Sequence, residues 1–172
     1  MKMDKVASSG NDEFYTPCCA VEPILKYVKE GSTVWCPFDT EESNFVKLLR
    51  EKRNCKVICT HIENEQDFFF SYYNCDYIIS NPPYSCKGAV LKRLFSFNKP
   101  FAMLVGVVGL FESQERFNMF KENEFEIMYL NKRVSYLKSY SDAKPALNPP
   151  FSSVYICHKM LPKQIVFEEV KK

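Results

Sequence analysis

Short apolar segments alternate with amphipathic helical segments up to about residue 130 of this 172-residue chain. The apolar segments predict β-strands. The segments between them carry apolar residues at steps of three and four, which is typical of helices packed on a sheet. Alternation of this kind predicts a parallel sheet with helices on both of its faces. No other feature of the sequence restricts the fold as strongly.

The boundaries of these elements follow from the apolar patterns and from the prolines and glycines between them. Strands are predicted at 33–36, 56–62, 76–80, 101–108, 125–130 and 154–158, with a short edge strand within 164–170. Helices are predicted at 17–28, 41–50, 87–97 and 112–123. The late strands are expected to pair antiparallel at one end of an open, mostly parallel twisted α/β sheet.

Composition excludes several classes of protein. The chain has 23 basic and 21 acidic side chains and a net charge of +2, so any nucleic-acid contact must come from a local patch. No two of the eight cysteines have the C-x-x-C spacing of a zinc or redox site, and no metal site is predicted. Several cysteines lie in apolar runs, which indicates reduced thiols in a cytoplasmic protein. There is no signal-peptide pattern, and no apolar run approaches the ~20 residues of a membrane span.

The predicted strand at 76–80 runs directly into the segment Asn81-Pro82-Pro83-Tyr84. The two prolines leave neighbouring backbone carbonyls free, and the Asn81 side chain offers a neutral acceptor. An exocyclic amine held between these acceptors would direct its nitrogen lone pair towards an electrophilic methyl group. Tyr84 offers a flat face on which a planar substrate can stack. The alternative is an ordinary strand-to-helix turn, to which proline and asparagine are suited.

A second N-P-P-aromatic segment runs from Asn148 to Phe151. It follows a loop-like stretch instead of a buried strand, and it precedes a strand instead of a helix. We therefore predict a structural loop, with a place on the substrate side as the alternative.

The segment Asn81-Pro82-Pro83-Tyr84 resembles motif IV of the amino-methyltransferases, whose pattern is (D/N/S)-P-P-(Y/F/W). From about residue 11 to residue 108 the chain resembles small phage-type DNA adenine-N6 methyltransferases. The resemblance implies a Rossmann-like methyltransferase fold and S-adenosylmethionine as the cofactor. It also implies methyl transfer to the N6 amine of adenine in DNA, with Asn81, Pro82, Pro83 and Tyr84 as the catalytic loop.

The resemblance further implies one methyltransferase domain over residues 1–172, with 1–12 as a flexible N-terminal arm. It leaves no separate target-recognition domain, so the recognised sequence would be short, or a homodimer or a partner subunit would supply target recognition. The same loop chemistry serves RNA adenine or a protein glutamine amide, and both stay open as substrates. A catalytically degenerate fold that serves as a binding module is the alternative to an enzyme.

On the cofactor side, the segment from Asn11 to Pro17 resembles motif X, which meets the methionine end of the cofactor. The segment from Trp35 to Asp39 takes the place of motif I. Cys36 stands there for the usual aspartate, and Thr40-Glu41-Glu42 replaces the usual glycines, which argues for a displaced or weaker site. The cofactor contacts implied by these two motifs are Tyr15, Thr16, Pro17, Pro37, Phe38 and Asp39.

Two further pairs complete the implied cofactor site. His61 and Glu63 follow the second strand, where the family places an acidic residue on the ribose hydroxyls. Asp67 and Phe68 resemble motif III, whose acid accepts from the adenine amine and whose neighbour packs on the ring. The alternative for Asp67 is a helix or turn cap.

The loop before the strand at 154–158 combines basic and aromatic side chains, which could contact phosphates and stack on bases. The implied nucleic-acid contacts are Lys132, Arg133, Lys138 and Lys144, interleaved with Tyr136 and Tyr140. A solvated loop without a binding role is the alternative.

Overall fold

The computed structural model describes residues 14–171, and the predicted arm at 1–12 lies outside the described residues. Within this part of the chain the strands are β1 (Thr33–Cys36), β2 (Lys56–Cys59), β3 (Tyr77–Ser80), β4 (Phe101–Gly106), β5 (Glu126–Leu130), β6 (Ser153–His158) and β7 (Ile165–Glu168). The α-helices are α1 (Cys18–Leu25), α2 (Asn44–Arg53), α3 (Lys87–Phe97) and α4 (Gln114–Glu122).

These strands form one sheet in the order β2-β1-β3-β4-β6-β5-β7. Strands β1 to β4 are mutually parallel, and β6 is antiparallel to both of its neighbours, β4 and β5. An open, mostly parallel sheet with one reversed strand near the C-terminal edge confirms the predicted Rossmann-like methyltransferase fold. The edge strand β7 is parallel to β5, so the antiparallel character of the late strands is confined to β6.

Three predicted elements end earlier than the apolar pattern suggests. Strand β2 stops at Cys59 because His61 caps a 3₁₀ turn over Ile62–Asn64 by accepting from the Glu63 amide. Strand β4 stops at Gly106, ahead of a turn that contains Gly109 with φ of +73°. Helix α1 ends at Leu25, three residues before the predicted end.

Each face of the sheet carries its own apolar layer. Helices α1 and α2 bury residues such as Ile24, Val46 and Leu49 on one face, where Tyr155 of β6 is fully buried. Helices α3 and α4 cover the other face. There the buried Leu91 lies in the same layer as Trp35. Since β1, β3 and β4 are covered on both faces, the loops after their carboxyl ends converge on a rigid edge, where open α/β sheets bind ligands.

Candidate functional site

A cleft of about 400 Å³ lies at the carboxyl ends of β1, β2 and β3. This volume falls in the range of small-molecule sites. The lining residues come from five separate segments of the chain. They are Phe14, Tyr15, Phe38, Asp39, Thr40, Glu41, Glu42, His61, Glu63, Asn64, Asn81, Pro82, Pro83 and Tyr140. The structure therefore brings residues of the segments that resemble motifs X, I and IV, together with the end of β2, around one cleft.

The orientation of the Asn81 amide is fixed from one side. Its Nδ2 donates to the backbone carbonyl of Phe14 at 2.8 Å and to Thr16 Oγ1 at 3.1 Å. A carbonyl can only accept, so the nitrogen must face Phe14 and the oxygen must lie on the opposite side of the amide. Since Asn81 also lines the cleft, its Oδ1 is set as an acceptor before any ligand binds.

The rest of the catalytic-loop segment divides between two environments. Pro82 and Pro83 line the cleft beside Asn81. Tyr84 starts a 3₁₀ turn that leads into α3, and its ring lies 5.2 Å from the ring of Phe151 with an angle of 32° between the planes. The loop therefore separates a proline-lined side from an aromatic side, with Asn81 between them.

Asp39 connects the motif I loop to this catalytic-loop segment. One carboxylate oxygen accepts from Ser43 Oγ and the other from Ser80 Oγ, both at 2.5 Å. Ser80 is fully buried at the end of β3, directly before Asn81. Asp39 thus fixes the end of β3, and its implied contact with the cofactor stays a prediction.

Acidic side chains dominate the mouth of the cleft. Four of the lining residues are carboxylic acids, namely Asp39, Glu41, Glu42 and Glu63. The Arg50 guanidinium and the thiol of Cys59 hold the pKa of Glu41 at about 2, although this side chain is exposed. The buried ring of His61 lies 3.8 Å from the Glu63 carboxylate. A cleft of this kind favours a ligand that carries positive charge.

The residues of the motif III segment lie apart from the cleft lining. The Asp67 carboxylate accepts from the Phe69 amide at 2.9 Å and caps the 3₁₀ turn Phe68–Phe70, which is the capping role considered from the sequence. Phe68 is buried, and its ring lies 5.1 Å from that of Phe38. Phe68 therefore supports a cleft residue from behind, and its direct cofactor contact stays a prediction.

The motif X segment is also split. Tyr15 lines the cleft, whereas Thr16 and Pro17 are buried beside it. The Asn81 side chain donates a hydrogen bond to the Thr16 hydroxyl group, and the Asn44 side chain donates one to the Thr16 carbonyl. Thr16 therefore joins three segments of the chain. Pro37 of the motif I segment is likewise buried and is absent from the lining.

The basic loop lies against the motif X segment. The ring of Tyr140 packs on that of Tyr15 at 4.8 Å, and a β-bridge joins Tyr15 to Leu137. These contacts place Tyr140 in the cleft wall. The four basic side chains of the loop are exposed: Lys132, Arg133, Lys138 and Lys144.

Sequence reasoning did not assign the aromatic side of the catalytic-loop segment. A void of about 10 Å³ lies there, and its walls are Phe14, Asn81, Pro82, Tyr84, Lys87, Val105, Gly106, Tyr136 and Phe151. Phe151 belongs to the second N-P-P-aromatic segment, so that motif does contact the Asn81 side. Gly106 makes this possible, because a Cβ there would lie 2.7 Å from the Phe151 ring.

A known methyltransferase matches this sequence. The chain is 24% identical over 186 aligned residues to the type II methyltransferase M.EcoRI of Escherichia coli. The match covers 77% of this chain and 57% of that protein, so the chain spans little more than half of the relative's length. No family model matches the sequence.

Solved structures with a similar backbone carry low sequence identity. A methyltransferase subunit of a type I restriction-modification system from Streptococcus thermophilus is 13% identical, with a TM-score of 0.49 over 91% of this chain and 47% of that one. A methyltransferase from Pyrococcus furiosus is also 13% identical, with a TM-score of 0.42 over 80% of each chain.

The described residues contain neither a membrane-spanning helix nor a cluster of metal ligands. No helix between residues 14 and 171 has the length and apolar character needed to traverse a bilayer. The same part of the chain holds no group of three or more His, Cys, Asp or Glu side chains arranged for a metal ion.

Proposed function

We propose that this chain is an S-adenosylmethionine-dependent methyltransferase that methylates the N6 amine of adenine in DNA. One observation carries the proposal: the Asn81 amide is oriented by Phe14 and Thr16 so that its oxygen faces away from them at the junction of the cleft and the aromatic side. The sequence likeness to a type II methyltransferase supports methyl transfer, and the resemblance of Asn81 to Tyr84 to motif IV supports an amine as the acceptor.

The cleft fits the proposed cofactor in size and charge. At physiological pH the cofactor carries a sulfonium and an ammonium group against one carboxylate, and the cleft lining carries four carboxylic acids. Phe38 offers a ring face for the adenine, and Glu63 offers an exposed carboxylate for ribose hydroxyls. The methionine carboxylate would lie near Tyr15, ahead of the amino end of α1, where backbone amides favour an anion.

The cofactor supplies an electrophilic methyl group, and the protein supplies position. Asn81 Oδ1 accepts one hydrogen of the substrate amine, and a backbone carbonyl of the proline pair accepts the other. With both hydrogens fixed, the nitrogen lone pair is directed at the cofactor side of the loop. Because both reactants are held in position, the methyl transfer becomes effectively unimolecular. Burial of Pro82 and packing of Phe14, Tyr84 and Phe151 exclude water from the aromatic side.

Several features favour DNA adenine as the planar substrate. The rings of Tyr84 and Phe151 pack against each other next to Asn81, and the basic loop forms part of the wall of the adjoining cleft. An extruded base needs an aromatic platform, and its backbone needs cations for the phosphates. The exposed Lys132, Arg133, Lys138 and Lys144 meet the second need, with a homodimer or partner subunit to complete target recognition.

The central test replaces Asn81. We expect Asn81→Ala to lower the rate of labelled-methyl transfer to DNA by roughly a hundredfold or more, because the substrate amine is deprived of an acceptor used in the transition state. Binding of S-adenosylmethionine, measured by calorimetric titration, should change little. The matched control is Asn148→Ala in the second N-P-P-aromatic segment, where the exposed Asn148 side chain accepts from Ser135. It should leave the rate close to that of the unmodified protein.

Two results would contradict the proposal. Methyl transfer that survives in Asn81→Ala would show that this loop has no catalytic role. A protein that binds no S-adenosylmethionine at millimolar concentration would be a binding module instead of an enzyme. Transfer of label to RNA or to a protein glutamine amide, but not to DNA, would support methyltransferase activity and contradict DNA adenine as the substrate.

A further inference from the structure

Lys87 is buried behind the catalytic-loop segment, at the first position of α3. Only 5% of the residue is exposed, although lysine is among the residue types that are least often buried. Its Nζ donates to the carbonyl oxygens of Gly106, at 2.9 Å, and of Val108. The same Nζ lies over the ring of Tyr84, 4.6 Å from the ring centre. The three hydrogens of an ammonium group thus meet two carbonyls and one aromatic face.

These contacts join two elements that must stay in register for the proposed chemistry. Gly106 and Val108 belong to the end of β4 and the turn after it, whereas Tyr84 belongs to the short 3₁₀ turn after β3. A cation over the ring face restrains both the distance and the tilt of the ring. Such contacts are strongest where water is excluded, as it is around the buried Lys87.

We propose that Lys87 is a positioning residue for methyl transfer, and that its ammonium group fixes the Tyr84 ring against the end of β4. This inference rests on the proposed function, because the position of Tyr84 matters only if a planar substrate stacks on it. The proposed role does not require contact of Lys87 with substrate or cofactor. Lys87 acts through Tyr84.

The charge of Lys87 is poised to change in mildly alkaline solution. Burial is the main effect that lowers its pKa from 10.5 to about 8; the nearby Arg116 guanidinium also lowers it, and Glu112 opposes both. Tyr84 and Tyr136 are the other titratable residues that line the same small void. Below pH 8 the ammonium group donates to the carbonyls and attracts the ring. Above pH 8 the neutral amine no longer attracts the ring.

The dependence of kcat on pH separates a positioning role from a purely structural role. Since the folded pKa lies below the unfolded value, the unfolded chain binds more protons between about pH 8 and 10.5, and the free energy of unfolding rises with pH in that window. This rise follows from the pKa alone and is expected for either role. A positioning role predicts in addition that kcat falls over the same range, and a purely structural role predicts no such fall.

The experiment measures kcat for methyl transfer to DNA on either side of pH 8, with saturating S-adenosylmethionine, for the full chain and three variants. Lys87→Met keeps the hydrocarbon stem without the charge, and we expect kcat to fall about tenfold, or roughly 1.4 kcal/mol, with an unchanged cofactor Kd. Its remaining activity should lack the decline above pH 8. Lys87→Arg keeps the charge and should retain activity to higher pH. Lys92→Met, at an exposed position of the same helix, is the control and should match the unmodified chain.

Nuclear magnetic resonance of lysine labelled with ¹³C at Cε gives a readout that needs no activity. The Lys87 signal should show a ring-current shift that disappears in Tyr84→Leu, and it should titrate near pH 8. A Lys87→Met enzyme with the kcat and pH profile of the unmodified chain would overturn the role of Lys87 alone. An unmodified chain that transfers no methyl group to any substrate would overturn the proposed function, and the role of Lys87 with it, even if the ring-current shift is present.

Discussion

At the scale of single residues, Asp39 shows how one buried side chain can set the position of the proposed catalytic loop. Its two carboxylate oxygens are hydrogen-bonded by Ser43 and Ser80, and it is only 4% exposed. The Asp39 contact with Ser80 fixes the residue before Asn81, so a buried hydrogen bond joins the motif I loop to the catalytic-loop segment.

Removal of one of these donors should have a measurable effect. We expect Ser80→Ala to lower the free energy of unfolding by about 2 kcal/mol, because a charged group is deprived of a buried hydrogen bond. Urea unfolding monitored by circular dichroism measures the change. Ser152→Ala serves as the control, because Ser152 is exposed, and it should stay within about 0.5 kcal/mol of the unmodified protein. Equal stability of the two variants would show that the Asp39 contact contributes nothing.

The sequence could indicate which residue types meet at the cleft, but it could not indicate which atoms they offer. The predicted Tyr15, Phe38, Glu63 and Asn81 do line one cleft. The carboxylate of Asp67 is used by its own turn, which depends on local backbone angles that no motif encodes. The contact of Phe151 with Tyr84 is a long-range consequence of the β4–β6 register, so the chain pattern could not reveal it.

At the scale of elements, the helices that frame the site differ in how their amino ends are capped. Ser43 caps α2 by accepting from the Phe45 amide, and its hydroxyl also donates to Asp39. Ser113 caps α4 by accepting from the Arg116 amide, and it is exposed. The two serines can therefore be compared directly: both cap a helix, but only Ser43 also contacts Asp39 at the site.

We expect Ser113→Ala to lower the free energy of unfolding by about 1 kcal/mol, the usual contribution of a helix cap. Ser43→Ala should cost about 2–3 kcal/mol, because it removes the cap and a hydrogen bond to a buried carboxylate together. Ser43→Ala should also lower methyl transfer, whereas Ser113→Ala should not. Denaturant titration and a methylation assay measure both effects, and equal costs at the two caps would contradict the expected coupling.

The element pattern was predictable where each strand is buried on both faces. Strands β1, β3 and β4 read as continuous apolar runs, and the helices between them read as amphipathic, so their order and parallel pairing follow from sequence. The orientation of β7 did not follow. It depends on the path of the connection after β6, where Lys159 adopts φ of +54° and turns the chain back beside β5.

At the scale of the whole molecule, a net charge of +2 gives little attraction to DNA, so any attraction must be local. The basic loop supplies a local patch that packs against the cleft wall through Tyr15 and Tyr140. If the patch contacts phosphates, affinity for DNA should fall steeply with salt, and the steepness should depend on these side chains more than on the total charge.

A variant with alanine at Lys132, Arg133, Lys138 and Lys144 tests this expectation. The slope of log K against log salt concentration should become shallower by about 0.9 for each phosphate that the variant no longer neutralises. A control with alanine at four other exposed lysines removes the same charge from other parts of the surface, at Lys47, Lys56, Lys121 and Lys163. Fluorescence anisotropy with a short duplex gives both slopes. Identical slopes for the two variants would show that the basic loop makes no special contribution to phosphate binding.

The tie between Phe14 and Asn81 spans 67 positions of the chain. Under the proposed function, the amide would be correctly turned only while the Phe14 segment is docked, so turnover would be proportional to the docked fraction. Any event that shifts this fraction, whether a bound partner, a nearby substitution or a rise in temperature, would then change the observed rate without contact with the reacting atoms. Docking of the segment at Phe14 would thus control the rate of the proposed chemistry at the end of β3.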